Sequence, residues 1–221
     1  MVQVRASSTE LVLAAATRVF LEKGYPASTI ADIAEAAGIS KPTVYQYAKS
    51  KQWLLEEIVS RLSLEMEQCE LILHDYDAPA SVRLHWVIQL NIELAVQYRN
   101  SFRVTLSEQT VLTPQARDEF RLWARRTTNR FADLLAKARR EGTFDWPGDI
   151  SIAANLLLST LTSVHRWFHP DSVTSPRDLA DSVIYMISGV YAAPNMDEWP
   201  MPPLPIRQSN YAARPGHKKN P

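Results

Sequence analysis

Apolar residues recur along this chain at intervals of three and four for most of its length, the period of helices that bury one face. Val12, Ala15, Ala16, Val19 and Phe20 make the first stripe, in a helix expected over about residues 9–23 that Gly24 would stop. Ile30, Ile33, Ala34 and Ala37 make the second. Thr29 stands just ahead of it with Asp32 three residues on, a capping-box pattern for a helix start. Gly38 suits the left-handed stop, because glycine enters that conformation without steric penalty. Ile39 can plug the angle before Ser40 caps a third helix, where Pro42 is tolerated in the first turn. Val44 and Ala48, four apart, would face inward. The stretch 29–51 thus reads as two short helices joined by a tight turn, with the first helix completing their core.

The pattern continues. Ser50 caps a helix expected from Lys51 to about His74, and D-Y-D-A-P at 75–79 breaks the chain. An amphipathic helix is expected over 80–99, with Leu84, Val87, Ile88, Asn91, Leu94, Ala95 and Tyr98 on one side. Asn100 and Ser101 interrupt, and a short helix follows over 102–111. Thr113-Pro114 opens the longest helix, which ends at Glu141-Gly142. Asp149 opens a helix so apolar down to Val164 that it must be buried on more than one side. Pro170 ends it, and Ser175-Pro176 starts a last helix reaching Tyr191, with Ala180, Val183, Ile184, Ile187, Val190 and Tyr191 on one face. Two such helices either serve the chain's own core or form half of an intermolecular four-helix bundle. From Pro194 onward the segment holds seven of the 14 prolines and cannot build helix or ladder, though Trp199, Met201 and Leu204 could dock on the body.

The fold class is therefore all-α, with about nine helices. A helix-turn-helix domain spans 1–50, a larger helical domain 51–193 and a proline-rich tail, expected to be extended or disordered, 194–221. Residues 1–8 read as a short arm in which Arg5 could touch a partner. Only six glycines in 221 residues agree with long helices. No run of about 18 apolar residues predicts a membrane span, and the N-terminus lacks the apolar core of a secretory signal. The single Cys69 cannot form an internal disulfide, which fits a reducing cytoplasm and a small buried side chain.

Charge narrows the chemistry. Basic and acidic residues number 24 each, which excludes a polybasic binder holding nucleic acid by charge alone but leaves room for a local patch. Such a patch exists: Lys41, Lys49 and Lys51 meet no acid between Glu35 and Glu56. The third helix would present Lys41, Thr43, Tyr45, Gln46 and Tyr47 to a partner. Hydroxyls, an amide and positive charge on one short helix suit the DNA major groove, with base edges at its N-terminal end and phosphates around it. The competing account is a helical pair inside an all-α core with merely solvated polar residues.

The run from Val12 to Leu55 resembles the N-terminal domain of the TetR family of bacterial transcriptional regulators. The resemblance rests on A-A-T-R-V-F-L-E-K-G-Y (15–25), S-T-I-A-D-I-A-E-A-A-G-I-S (28–40), T-V-Y-Q-Y (43–47) and S-K-Q-W-L-L (50–55). Ala48 departs from it, standing where the family usually carries Phe; Trp53 could fill the gap. The resemblance implies a homodimeric, ligand-responsive repressor in the bacterial cytoplasm, bound to a palindromic double-stranded operator. Its dimer would form through the last two helices, and helix 51–74 would move when ligand binds. A ligand-dependent activator of the same fold is the alternative. Ser40 and Lys41 would then position the recognition helix, Thr43 and Gln46 read bases, and Thr29, Tyr45, Tyr47 and Lys51 hold phosphates.

The effector would be an apolar or amphipathic small molecule. Trp86, Tyr98, Phe102, Trp123, Phe131, Trp167 and Phe168 are candidates to line its pocket, although aromatics at helical spacing also build cores. Arg130, among the frequent arginines of the longest helix, could reach a carboxylate or phosphate, or belong to a solvated face. The segment W-F-H-P-D-S-V-T-S-P-R-D-L-A-D is similar to a stretch of TetR regulators of lipid or steroid breakdown, some of which respond to acyl-CoA thioesters. His165 and His169 have the spacing of two metal ligands, with Asp171 following, but no third ligand stands at a telling distance. His165 is better placed at the polar edge of a pocket or dimer interface, and no metal is expected. Nucleophile-elbow, P-loop and dinucleotide motifs are missing, so no catalytic residue or cofactor is assigned. A helical enzyme or an interaction module is the remote alternative.

Overall fold

The computed structural model describes residues 8–169 and 174–206, so Arg5 and Asp171 lie outside it. Among the described residues there are nine α-helices, two 3-10 turns and no strand beyond one isolated bridge between Phe144 and Tyr191. They form two compact units. Of the described residues, one holds 8–59 together with Asn100–Leu112; the other holds Ser60–Arg99, 113–169 and 174–206.

In the first unit, α1 (Ser8–Lys23) packs on α2 (Ile30–Ala37) and α3 (Lys41–Tyr47). All five residues of its expected stripe are buried, with Ile33 and Val44 meeting them at zero exposure. Next comes α4 (Lys51–Asp75), whose first-turn N–H at Trp53 is capped by Ser50 Oγ at 3.0 Å. Its Leu54, Leu55 and Ile58 close the small core.

The second unit is built around α5 (Ala80–Gln97), against which α7 (Pro114–Arg140), α8 (Ile150–Trp167) and α9 (Pro176–Met186) pack. The amphipathic reading of α5 holds, with a wider buried side than expected: Ala80, Val82, Trp86, Leu90 and Ile92 are as buried as the expected face, and a narrow half-exposed stripe of His85, Gln89, Glu93 and Gln97 remains. Between α5 and α7, Tyr98 alone breaks the helix, and Asn100 and Ser101 fall inside α6 (Arg99–Ser107). The last helix is also shorter than expected. Ser188 and Gly189 disfavour continuation, and the chain turns so that Val190 O accepts from Asp145 N at 2.7 Å and Thr143 O from Ala192 N at 2.8 Å. Tyr191 then donates its hydroxyl to Ser81 O at 2.8 Å, tying this turn to the start of α5.

Capping explains most boundaries. Thr113 caps α7, Asp149 caps α8, and Ser175 with Asp178 forms a second capping box ahead of α9. Beyond α9, Trp199 docks as expected, its carbonyl accepting from the buried Trp86 indole at 3.2 Å. One side of α8 departs from its expectation: Ile152 and Leu156 are more than half exposed, so this chain alone does not bury the helix on several sides.

Candidate nucleic-acid interface and effector pocket

The turn between α2 and α3 is fixed by local chemistry. Thr29 Oγ1 accepts from Asp32 N at 3.2 Å while Asp32 Oδ2 accepts from Thr29 N at 2.8 Å, which satisfies two orphan donors of α2 reciprocally. The Asp32 carboxylate also receives Lys23 Nζ at 2.6 Å, and these hydrogen bonds lower its pKa to about 2. Gly38 takes φ 68° and its N–H returns to the end of α2. Ser40 Oγ accepts from Thr43 N at 3.2 Å and lies 2.7 Å from Thr43 Oγ1, so the cap and the side chain that follows it are coupled.

What α3 offers outward follows from this frame. Ser40, Lys41, Tyr45, Gln46 and Lys49 are exposed, and Thr43 and Tyr47 are half-buried beside them. Val44 is wholly buried, and Ala48 lies just past the last turn with extended backbone and 3% exposure. Trp53 is half-buried. Two of the residues expected at phosphates have other work. Thr29 Oγ1 is engaged in its capping box. Lys51 Nζ donates to Tyr25 O at 2.7 Å and Ser28 O at 2.8 Å and stands 4.3 Å over the Tyr25 ring, locking the loop ahead of α2. A residue with an unforeseen place is Gln52, which accepts from Tyr25 OH at 2.7 Å and donates to Val111 O at 3.0 Å.

In the second unit, α4, α5 and α7 border a small, half-open cavity of about 20 Å³ lined by Glu70, His74, Val87, Thr127, Arg130, Phe131 and Leu134. One end is apolar. At the other, Arg130 donates to Glu70 Oε2 at 3.0 Å and to Glu67 Oε1 at 3.3 Å, Arg126 grips Glu67, and Thr127 Oγ1 donates to Glu70 Oε2 at 3.0 Å. Burial raises the Glu70 pKa, while the bonds from Arg130 and Thr127 pull against it. Glu70 Oε1 and Arg130 Nε are both shielded from solvent without a hydrogen-bond partner.

Of the residues expected to line an effector site, only Arg130 and Phe131 reach this pocket. The others are dispersed. Trp86 is 1% exposed and bonded to Trp199. The Tyr98 hydroxyl donates to Glu65, and Phe102 is buried in the other unit. Trp123 packs on Phe120 with ring centroids 5.3 Å apart. His165 is buried at α8, its Nδ1 on Thr162 O, while Phe168 fills core and Trp167 is 55% exposed. Aromatics at helical spacing here serve packing, as large apolar surfaces commonly do. Glu70, His74 and Thr127 escaped the sequence reading. A signal did exist: Glu70 follows Met66 by four and precedes Leu73 by three, so an acid interrupts the buried stripe of α4.

A third surface lies on α8 and α9. Ile152, Leu156, Tyr185 and Met186 are 54%, 55%, 81% and 62% exposed. Leu156 and Met186 line a trough together with Phe144, Trp146 and Val190. Among the described residues no group of three or more His, Cys, Asp or Glu side chains could hold a metal, and no helix is long and apolar enough to cross a membrane.

Comparison with known proteins bears on both units. The family described as bacterial regulatory proteins, tetR family, matches residues 12–58. The tetracyclin repressor-like C-terminal domain matches residues 77–190. The HTH-type transcriptional repressor KstR2 of Rhodococcus jostii (strain RHA1) is 24% identical over 196 residues, covering 85% of this chain and 92% of that protein. The structure of the ketosteroid transcriptional regulator KstR2 of Mycobacterium tuberculosis is 20% identical, covers 84% of this chain and 96% of its own, and superposes with a TM-score of 0.78. That of AibR in complex with isovaleryl coenzyme A and operator DNA is 23% identical, covers 84% of this chain and 100% of its own, and gives a TM-score of 0.71.

Proposed function

The chain belongs to the TetR family of bacterial transcriptional regulators, and on that premise we propose that it is a ligand-responsive repressor binding a palindromic operator as a homodimer. The observation that carries this reading is α3, capped at Ser40, anchored by Val44, and turning Lys41, Tyr45 and Gln46 outward with no acid among them. Ser40 and Lys41 position the helix on the DNA backbone. Thr43 and Gln46 read base edges, and Tyr45 and Tyr47 hold phosphates. The exposed apolar side chains of α8 and α9 meet those of a second copy in a four-helix bundle, which removes them from water. The two-fold of that bundle sets two recognition helices about 34 Å apart, one turn of DNA.

Residues 1–50 act as the DNA-binding head and 51–193 as the sensing and dimerising body, with 194–221 as a tail. The effector occupies the α4–α5–α7 pocket and releases the operator, which requires that it bind the released state more tightly than the bound one. A coenzyme A thioester is a second reading of the effector, favoured by the isovaleryl coenzyme A in the AibR complex. The test is a gel-shift titration of the purified chain on its own upstream intergenic DNA, with random DNA of equal length as control, at two salt concentrations. A selective shift by a dimer-sized complex supports the reading. Equal affinity for both DNAs refutes it.

A further inference from the structure

Resting on the reading of α8 and α9 as the dimer face, we propose that the partner's Trp167 seats its indole in the trough beside Leu156, with α8 crossing its mate antiparallel about a two-fold midway between those two positions.

Three observations lead there. The first is a pattern on α8. Leu156, Thr160, Ser163 and Trp167 follow one another at intervals of four, three and four, so they fall on one stripe of the helix. The stripe is bulky at both ends and small in the middle. It is also its own complement in reverse: about a centre between 161 and 162, Leu156 pairs with Trp167 and Thr160 with Ser163. A surface that packs on its own copy across a two-fold needs that property. Thr160 Oγ1 donates to Leu156 O at 2.9 Å and Ser163 Oγ to Thr160 O at 2.8 Å, so covering the middle of the stripe strands no hydroxyl.

The second is room. The trough is lined by Leu156 and Thr160 of this stripe, with Phe144, Trp146, Met186 and Val190 beside them, and holds about 160 Å³. An apolar cavity of about 150 Å³ admits a benzene ring, so one aromatic ring has space here. The chain's own Trp167 stands eleven residues along α8 from Leu156, about 16 Å away, so that ring has to come from another molecule.

The third is what stands ready to enter. Trp167 is 55% exposed, its indole edge-on to Phe168 with ring centroids 6.3 Å apart. Tryptophan gains much from burial, and indoles seated in pockets are the commonest anchors of protein interfaces. Charge agrees. Arg166 precedes Trp167, Asp145 stands between Phe144 and Trp146, and both are exposed. Seating the indole brings the guanidinium toward the carboxylate at the rim, where opposite charges fix register.

Two measurements on the full-length chain test this. In sedimentation, Trp167→Ala should raise the dimer dissociation constant about thirtyfold or more, as loss of an interface anchor does, with helix content unchanged. Trp167→Phe, which keeps a ring, should lose less. The register is read by oxidative cross-linking of a Leu156→Cys chain mixed with a Trp167→Cys chain. In that mixed dimer one pair of cysteines meets while the other Trp167 keeps its trough. The mixture should yield a covalent dimer, and neither variant alone should, nor the wild type, whose Cys69 is buried. A Trp167→Ala dimer as tight as wild type, no cross-link in the mixture, or cross-linking of Trp167→Cys with itself overturns the proposal while the dimer stands. Loss of the dimer in Tyr185→Ala but not in Trp167→Ala overturns it in favour of the other exposed aromatic. A wild-type chain that sediments as a monomer at every concentration defeats the dimer reading itself.

Discussion

Arg130→Met separates the two glutamates of the α4–α7 cluster by their surroundings. Glu67 is 19% exposed at its side chain and keeps Arg126, so it loses little. Glu70 is 8% exposed at its side chain and keeps only Thr127, so an uncompensated carboxylate would remain in the core. Removing one partner of a buried pair costs about 3–5 kcal/mol, a large share of a domain's stability. The cost has an upper limit, because Glu70 can take a proton instead. Such a penalty pushes further upward a carboxyl that burial already raises. The folded variant then binds a proton at pH where the unfolded chain has lost it. Its stability is greatest at low pH and declines as pH rises toward the raised folded value. Urea denaturation at fixed protein concentration, followed by circular dichroism, should give a loss of about 3–5 kcal/mol against wild type at pH 7.5. Part of it should be recovered at pH 5.5. A loss below about 1 kcal/mol, or a loss independent of pH, would show that Glu70 is not held by Arg130 in the way described.

Tyr47→Ala should weaken binding to all DNA sequences, and Thr43→Ala should also relax base preference by about 1–3 kcal/mol at one position of the site; equal loss on operator and random DNA for Thr43→Ala removes it from base readout. Leu156→Glu places a charge on the exposed apolar face of α8 and should convert a dimer to monomer on sedimentation while leaving helix content unchanged. The Asp32 carboxylate, lowered to about 2 by Lys23 and Thr29, contributes to the start of α2 above the ordinary carboxylate range and loses that contribution as pH falls toward 2. Amide exchange at the α2 N-terminus in acid should accelerate in wild type, and be fast at neutral pH already in Asp32→Ala.

The first four helices were legible because their boundaries are written in adjacent residues: Thr29 with Asp32, Gly38, Ser40 with Thr43, Ser50 with Trp53. No long-range information is needed to place them. On α5 the same reading found the helix and its buried face but not how wide that face is, since only the stripe His85, Gln89, Glu93 and Gln97 stays half-exposed. It failed at the pocket, where Glu70 meets Arg130 across 60 residues of sequence. Aromatic residues stood out instead, and they fill the core. Lys51 shows the limit for the interface: its charge and position suit a phosphate, yet three loop carbonyls within 3.4 Å claim its ammonium group.

The bond from Trp86 to the Trp199 carbonyl spans 113 residues, and that from Tyr191 to Ser81 spans 110. During synthesis the chain emerges from its N-terminus at about 5–20 residues per second. The contacts among α1, α2 and α3 close within the first 47 residues and can form early. The central helix of the second unit cannot: its indole donor and the packing at its first turn wait for residues that follow the last helix. A nascent chain therefore carries the packed α1–α3 trio for about 8–30 s before its body can be completed. During that interval the apolar faces of α5 are exposed, and a truncation ahead of Trp199 would leave the indole without its acceptor permanently.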